Sequence, residues 1–414
     1  MIEDRNPPGN GMKGVSTLGQ VVSAVLVLLL FFVALELMGD SFKLMGSGVA
    51  ERMLATTANP FVGLFIGILA TATVQSSSTV TSMVVALTAA GGLTVSGAIP
   101  IVMGANIGTS VTNTLVSLGH VTRRDEFRRA YAAATVHDIF NLLTVAILFP
   151  LELATRLLTR ISSYLAEGLQ GIGGADLLSP LKLVTQPISD GIAGVVNHNG
   201  IMLLIVGGAL LFGALYLLVI LLKRLVLGRT EHILHKYIFG AVPVALAVGV
   251  LVTVLVQSSS ITTSLTVPLA AAGIVTVSRI FPFILGANLG TTVTSLLAAL
   301  AVAGGGGESS ILALHVAFAH LVFNGMGTII FLPFPPIRQI PIRLAEGLGN
   351  LAAKNRFYGV AYIVLVFFVI PLAVIFATRG VDTTFYSDPA GAAGPDGAPM
   401  EIVDDPPADN VPQR

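Results

Sequence analysis

The sequence Gln75-Ser76-Ser77-Ser78 interrupts an apolar stretch of the chain, and the same four residues return as Gln257-Ser258-Ser259-Ser260. A spacing of 182 (75 to 257) also separates two Gly-Ala-Asn motifs, which begin at Gly104 and Gly286. A third motif, His137-x-x-Phe140-Asn141, returns as His320-x-x-Phe323-Asn324 at a spacing of 183 (137 to 320). Such agreement in register indicates a duplicated architecture of the kind found in transporters.

The composition is that of a membrane protein. Of the 414 residues, 54% are hydrophobic and 11% are charged, whereas soluble domains have roughly 25% charged residues. Basic and acidic residues number 22 each, so no net charge favours binding to nucleic acid. The absence of Cys excludes disulfides, iron–sulfur clusters and thiol catalysis. These observations predict an all-α polytopic membrane protein.

The apolar arms on either side of each Gln-Ser-Ser-Ser tip are too short to span a bilayer. The first arm, residues 60–74, covers about half the hydrocarbon thickness at about 1.5 Å per residue, and the second ends near Ala90. Backbone that is not helical at membrane depth must be buried in protein or line a wet cavity. We therefore predict a re-entrant helical hairpin in each repeat. The Gly-Ala-Asn motifs predict a broken transmembrane helix in each repeat.

Counting the spans gives the orientation of the repeats. Predicted spans are 18–38, 95–118, 130–149, 201–222, 277–302, 311–332 and 358–378, with the second hairpin in 239–272. Three spans separate the hairpins, so the repeats have inverted topology. The positive-inside rule places the Arg- and Lys-rich connections at 123–129, 223–236 and 338–356 in the cytoplasm with the N-terminus.

The predicted organisation has six parts. They are an N-terminal tail (1–17), transporter repeat 1 (18–150), an extracytoplasmic connection (151–200), transporter repeat 2 (201–333), an interfacial helix with the last transmembrane helix (334–379) and a disordered tail (380–414). Inverted repeats with matched broken segments are typical of a secondary transporter whose site lies at the repeat interface.

The two tips can bind an anion without a fixed charge. The second arm of each hairpin begins just after the serines, whose hydroxyls can cap it, and its free N–H groups face the tip. Two such helix ends make an anion site. The candidate anion ligands are Gln75, Ser76, Ser77, Ser78, Gln257, Ser258, Ser259 and Ser260. Broken helices expose carbonyls that suit a small hard cation together with the oxygens of Asn106, Thr109, Asn288 and Thr291.

Asp138 is a carboxylate within a predicted span, which is costly and functional by default. It occurs in one repeat only, since Leu321 stands at the matching position. We interpret it as an ion-coupling residue, and a structural salt bridge is the alternative. His137 and His320 are interpreted as hydrogen-bonded core histidines.

The combined motifs resemble the type II sodium-dependent phosphate cotransporters, in a bacterial version. The resemblance rests on the paired tips, on the Gly-Ala-Asn motifs and on Glu126-Phe-Arg-Arg129, His137-Asp-Ile-Phe-Asn141 and Pro341-Ile-Arg343. It implies symport of inorganic phosphate with sodium ions by alternating access, without an organic cofactor. It also implies that both tips hold phosphate and sodium and that Asn141, Thr291 and Thr294 bind sodium, with Asn324 as the repeat counterpart of Asn141. An acid at Asp138 resembles the electrogenic members.

Other functions are less well supported by the residues. The tip serines recur without a recurring carboxylate, and no metal-ligand spacing is present, so we predict that the chain is not an enzyme. Two alternatives stay open: proton-coupled uptake of another small anion, with His137, Asp138 and His320 as a relay, and a passive anion channel. The expected partners are inorganic phosphate, sodium, the lipid bilayer and a second copy in a homodimer, with no nucleic acid. The expected location is the cell (inner) membrane, with multiple passes and a cytoplasmic N-terminus.

Overall fold

The computed structural model describes residues 17–45, 54–171, 179–226, 241–303 and 308–378. All regular secondary structure in these ranges is helical, which confirms the all-α prediction. Within the described residues, five helices are long and apolar enough to cross a membrane: Val95–His120, Arg124–Thr155, Val277–Val302, Ser309–Phe331 and Arg356–Ala377. The predicted tails, 1–17 and 380–414, lie outside the described residues except for Thr17.

The helices in chain order are α1 (Thr17–Met45), α2 (Pro60–Val74), α3 (Ser77–Ala89), α4 (Val95–Gly108), α5 (Val111–Ser117), α6 (Arg124–Thr155), α7 (Leu157–Gly171), α8 (Ser179–Val195), α9 (Gly200–Val226), α10 (Val242–Val256), α11 (Ser259–Ser264), α12 (Thr266–Ala271), α13 (Val277–Ala303), α14 (Glu308–Phe331), α15 (Pro335–Lys354), α16 (Arg356–Val364) and α17 (Ile370–Ala377). A π-helical segment, Leu365–Val369, joins α16 to α17. The predicted spans agree with these bounds within a few residues at most ends. The six-part division of the chain stays a prediction.

The two predicted hairpins have the same local geometry. Helix α2 ends at Gln75 with φ 57°, and α10 ends at Gln257 with φ 55°. The hydroxyl of Ser76 then accepts a hydrogen bond from the amide of Thr79 (3.2 Å), and that of Ser258 from the amide of Ile261 (3.4 Å). The serine thus caps the next helix, as the sequence predicts. The re-entrant position of these helix pairs and the inverted topology of the repeats stay predictions.

Glycines bring the first arm of each hairpin against the helix that follows it. A Cβ on Gly104 would overlap the carbonyl of Leu64 in α2, and a Cβ on Gly286 would overlap the carbonyl of Leu246 in α10. Gly67 and Gly249 make the reciprocal approach from the hairpin side, to the carbonyls of Ile101 and Phe283. These glycines therefore allow backbone-to-backbone packing, because no other residue fits.

The structure corrects the prediction that a transmembrane helix is broken in each repeat. In the first repeat the helix is interrupted at Thr109 and Ser110, between α4 and α5. In the second repeat α13 continues through Gly286, Asn288 and Thr291 without a break. The prediction was therefore wrong for the second repeat, where the glycines of the motif pack against α10 from within a continuous helix.

Helices from the two repeats are held together by specific contacts at the centre. Phe140 of α6 packs edge-on against Phe281 of α13 and Phe331 of α14, with ring centroids 6.0 and 5.6 Å apart. Arg129 of α6 donates to the carbonyls of Ala271 (2.7 and 2.9 Å) and Ala270 (3.2 Å) at the end of α12. Helix α6 of repeat 1 is therefore fixed to both the core and the hairpin of repeat 2.

Candidate functional site

Four buried asparagines form one hydrogen-bonded cluster where α4, α6, α13 and α14 meet. The side-chain nitrogen of Asn288 donates to the side-chain oxygens of Asn324 (2.8 Å) and Asn141 (3.0 Å). The side-chain nitrogen of Asn324 donates to the side-chain oxygen of Asn106 (3.1 Å), and that of Asn141 to the backbone oxygen of Asn106 (2.7 Å). We call these four residues the asparagine cluster.

The asparagine cluster consists of two pairs of repeat counterparts, Asn106 with Asn288 and Asn141 with Asn324. Two of its hydrogen bonds cross from one repeat to the other: Asn288 to Asn141 and Asn324 to Asn106. The carbonyl of Asn106 is an acceptor here because the helix is interrupted at Ser110, whose amide would be its helical donor. The structure therefore brings together four of the predicted cation ligands at the repeat interface.

Each hairpin binds the other repeat through its second arm. Asn113 of α5 donates to the hydroxyl of Thr263 in α11 (2.7 Å), and Ser295 of α13 donates to the hydroxyl of Thr81 in α3 (3.0 Å). Thr81 and Thr263 are repeat counterparts, and so are Asn113 and Ser295. The two contacts are therefore equivalent, and each holds the second arm of one hairpin against a helix of the other repeat.

The two tips differ in how they are docked. Gln257 is buried, and its side-chain oxygen accepts from the hydroxyl of Thr294 (2.8 Å). Ser260 donates to the backbone oxygen of Thr109 (3.3 Å). Gln75 is exposed, and its expected partner Thr112, the counterpart of Thr294, has a buried hydroxyl without a hydrogen bond. The second tip is therefore docked and the first is released.

The remaining predicted ligands lie close to these elements. The serines Ser77, Ser78 and Ser259 are buried, and Ser76 and Ser258 are half-buried as helix caps. Thr109 and Thr291 are buried, and their hydroxyls donate to the carbonyls one turn back, of Ala105 (3.0 Å) and Ala287 (3.1 Å).

Asp138 is fully buried but makes no hydrogen bond to the asparagine cluster. Its Oδ2 accepts from the hydroxyl of Tyr362 in α16 (3.4 Å), and its Oδ1 has no hydrogen-bond partner. No Lys or Arg in the described residues forms an ion pair with it. This geometry gives no support to the alternative of a structural salt bridge. Helix α6 thus presents two polar groups, Asn141 in the cluster and Asp138 against the last transmembrane helix.

Sequence reasoning missed three residues of the site. Ser295, Asn113 and Tyr362 were not predicted as site residues, although Tyr362 could have been noticed as a polar residue in an apolar helix. The two histidines also differ. His320 is hydrogen-bonded to Ser295 (2.8 Å) and to Asn106 (3.3 Å), which confirms its interpretation, whereas neither ring nitrogen of the buried His137 makes a hydrogen bond of regular geometry within the described residues.

Comparison with known proteins adds independent information. A family model described as Na+/Pi-cotransporter matches residues 30–174 and 210–351, which contain both tips and the whole asparagine cluster. No solved structure was found to match the chain.

Curated relatives agree with that family. Sodium-dependent phosphate transport protein 2B of Homo sapiens is 34% identical over 465 residues, covering 90% of this chain and 67% of the relative. Protein 2A of Ovis aries is 34% identical over 484 residues, covering 97% and 74%, and protein 2A of Rattus norvegicus is 35% identical over 451 residues, covering 91% and 70%. The chain therefore belongs to the Na+/Pi-cotransporter family, whose members are transporters and not enzymes.

Proposed function

We propose that the chain imports inorganic phosphate together with sodium across the cell (inner) membrane, with its N-terminus in the cytoplasm. The observation that carries the proposal is the asparagine cluster, which joins both repeats through uncharged oxygen and nitrogen atoms beside the two tips. Such a cluster can hold a cation in one state and close on itself in another. The membership of the family supports phosphate and sodium as the ions.

Phosphate is bound at the tips by the amino-terminal ends of α3 and α11. Ser76 and Ser258 cap these helices, and the first-turn amides that are not used in capping point towards the anion. Among the tip residues no Lys or Arg supplies a charge. An anion held by helix dipoles and hydroxyls is released more readily than one paired with a buried cation, which suits transport.

Sodium binds among the side-chain oxygens of Asn141, Asn288 and Asn324. In this structure the side-chain nitrogen of Asn288 donates to the oxygens of Asn141 (3.0 Å) and Asn324 (2.8 Å). A rotation of the Asn288 side-chain amide by about 180° would exchange its nitrogen for its oxygen and bring three side-chain oxygens together. Three carbonyl-type oxygens suit a small hard cation. The cluster therefore alternates between a closed form held by hydrogen bonds and an open form held by sodium.

Asp138 makes the cycle electrogenic. Its carboxylate is buried without an ion-pair partner in the described residues, so a second cation arriving there neutralises a charge that the protein otherwise leaves unpaired. The cation is expected to bind between Asp138 and the hydroxyl of Tyr362.

Alternating access follows from the difference between the tips. Gln257 is docked on Thr294, while Gln75 is away from Thr112. Because the four residues are repeat counterparts, we propose that the opposite state docks Gln75 on Thr112 and releases Gln257. Each half-cycle then exchanges one tip for the other around the asparagine cluster.

The test is uptake of labelled phosphate by the purified chain in proteoliposomes. An inward sodium gradient should drive accumulation, and an inward potassium gradient of the same size is the control. Accumulation that needs a pH gradient and persists without sodium would overturn sodium coupling and favour proton-coupled uptake. Equilibration without accumulation would indicate a passive anion channel.

A further inference from the structure

A basic cavity of about 510 Å³ lies away from the transport site, between the start of α6, the end of α15 and the start of α16. Three cations line it: Arg124, Lys354 and Arg356. The rest of the lining is Val121, Phe127, Ala353 and Asn355, with no carboxylate. Three positive charges from three helices therefore face one cavity.

Two carboxylates that follow Arg124 in α6, Asp125 and Glu126, are paired with bases outside the cavity lining. Glu126 is 2.9 Å from the guanidinium of Arg123 and 3.6 Å from the ring of His120. Asp125 is 4.0 Å from the guanidinium of Arg128. The three lining cations are thus available to an anion from outside the chain.

The surroundings of the cavity favour a lipid over a free ion. Phe357 and Tyr358, next to Arg356, are 68% and 51% exposed, and Leu351 is 48% exposed. Aromatic side chains collect at the headgroup level of a bilayer, where their rings are half apolar and half wet. The cavity also has room for more than a bare phosphate ion, since a water molecule occupies about 30 Å³.

We propose that this cavity binds the headgroup of an anionic phospholipid, with the phosphate between Arg124, Lys354 and Arg356 and the acyl chains along the exposed side chains of Leu351 and Phe357. Basic cavities at the cytoplasmic ends of transmembrane helices are suited to such headgroups. The site depends on the membrane orientation proposed above, but not on which ions the chain transports.

The chain contains no Trp, so Phe357→Trp creates a single fluorescent reporter beside the cavity. The full-length variant is placed in bilayers of phosphatidylcholine with brominated phosphatidylglycerol or, in parallel, with brominated phosphatidylcholine as the quencher. Stronger quenching by the anionic lipid is expected, with about a fivefold higher relative affinity for each cation that contributes. Tyr358→Trp is a second reporter that should give the same result.

The decisive variant adds Arg124→Gln, Lys354→Gln and Arg356→Gln to the reporter, and it should lose the preference for the anionic lipid. The matched control adds Arg279→Gln, Arg338→Gln and Arg343→Gln, which change the net charge equally outside the cavity, leave Glu126 and Asp125 with their partners, and should keep the preference. Equal quenching by both lipids, an equal loss in the control, or displacement of the anionic lipid by inorganic phosphate would each overturn the proposal. Transport is not measured here, so this result is independent of the proposed function.

Discussion

The hydroxyl of Tyr362 lies 3.4 Å from Oδ2 of Asp138 and donates a hydrogen bond to this buried carboxylate. The contact joins α6, which also carries Asn141 of the asparagine cluster, to the last transmembrane helix. Tyr362 lies three residues before the π-helical segment Leu365–Val369. Segments of this kind are frequent at functional sites.

Replacing Asp138 should separate charge movement from phosphate uptake. Asp138→Asn keeps the shape of the side chain but removes the negative charge, so we expect the phosphate-evoked current to fall more than uptake. The measurement is the ratio of charge to labelled phosphate in one preparation. Tyr362→Phe is the control, because it keeps the charge of Asp138 and should therefore keep the ratio of charge to phosphate. It should raise the sodium concentration for half-maximal uptake severalfold, since a hydrogen bond to a charged group is worth about 1.5 kcal/mol. An unchanged ratio in Asp138→Asn would refute the coupling role.

Asn288 should tolerate a carboxylate better than an apolar residue. Asn288→Leu removes the third oxygen, so the sodium concentration for half-maximal uptake should rise about tenfold or more, which corresponds to about 1.4 kcal/mol. Asn288→Asp supplies an oxygen in either orientation and should retain sodium-dependent uptake. Sodium titration of phosphate uptake measures both. Equal loss in the two variants would contradict the exchange of a nitrogen for an oxygen at this position.

The exchange of docked tips can be trapped, because the chain has no native Cys. A short bifunctional thiol reagent should link Gln257→Cys to Thr294→Cys in the state described here. The pair Gln75→Cys with Thr112→Cys should react only when sodium and phosphate allow the opposite state. Each link is detected by cleaving the protein between the two cysteines and measuring on a denaturing gel whether the fragments still migrate together. Simultaneous linking of both pairs in one molecule would rule out the proposed alternation.

The close-packing glycines should be intolerant of a methyl group. Gly249→Ala or Gly286→Ala would force backbone apart at the carbonyls of Phe283 or Leu246, and such overpacking costs about 1–3 kcal/mol or more. Gly208→Ala is a suitable control, since nothing lies within 4 Å of its added Cβ and Ala stabilises a helix by up to about 1 kcal/mol. The unfolding temperature in detergent should therefore fall for Gly249→Ala and Gly286→Ala and rise for Gly208→Ala. A stable Gly286→Ala protein would contradict the packing described.

Much of this architecture could be read from local sequence. The arm at residues 60–74 was predicted with the bounds that α2 has, because Pro60 and the polar tip mark its ends. The continuity of α13 could not be predicted, since both repeats carry the same Gly-Ala-Asn motif and the helix of the first repeat is interrupted only beyond it, at Thr109 and Ser110. The contact of Asp138 with Tyr362 joins residues far apart in the chain, which no spacing reveals. The unequal docking of the tips is likewise invisible in a repeated sequence.

The tip glutamines have nearly the same backbone conformation although one is docked and the other is released, with φ values of 55° and 57°. This left-handed region costs about 1 kcal/mol or more for any residue except glycine. In the alternation proposed above, the strain is therefore not expected to be relieved when a tip leaves its partner. Each hairpin is then expected to travel as a rigid body. Its hinge is expected at the other end of the second arm, where Gly91 (φ 80°) and Gly273 (φ 76°) take up the change in angle.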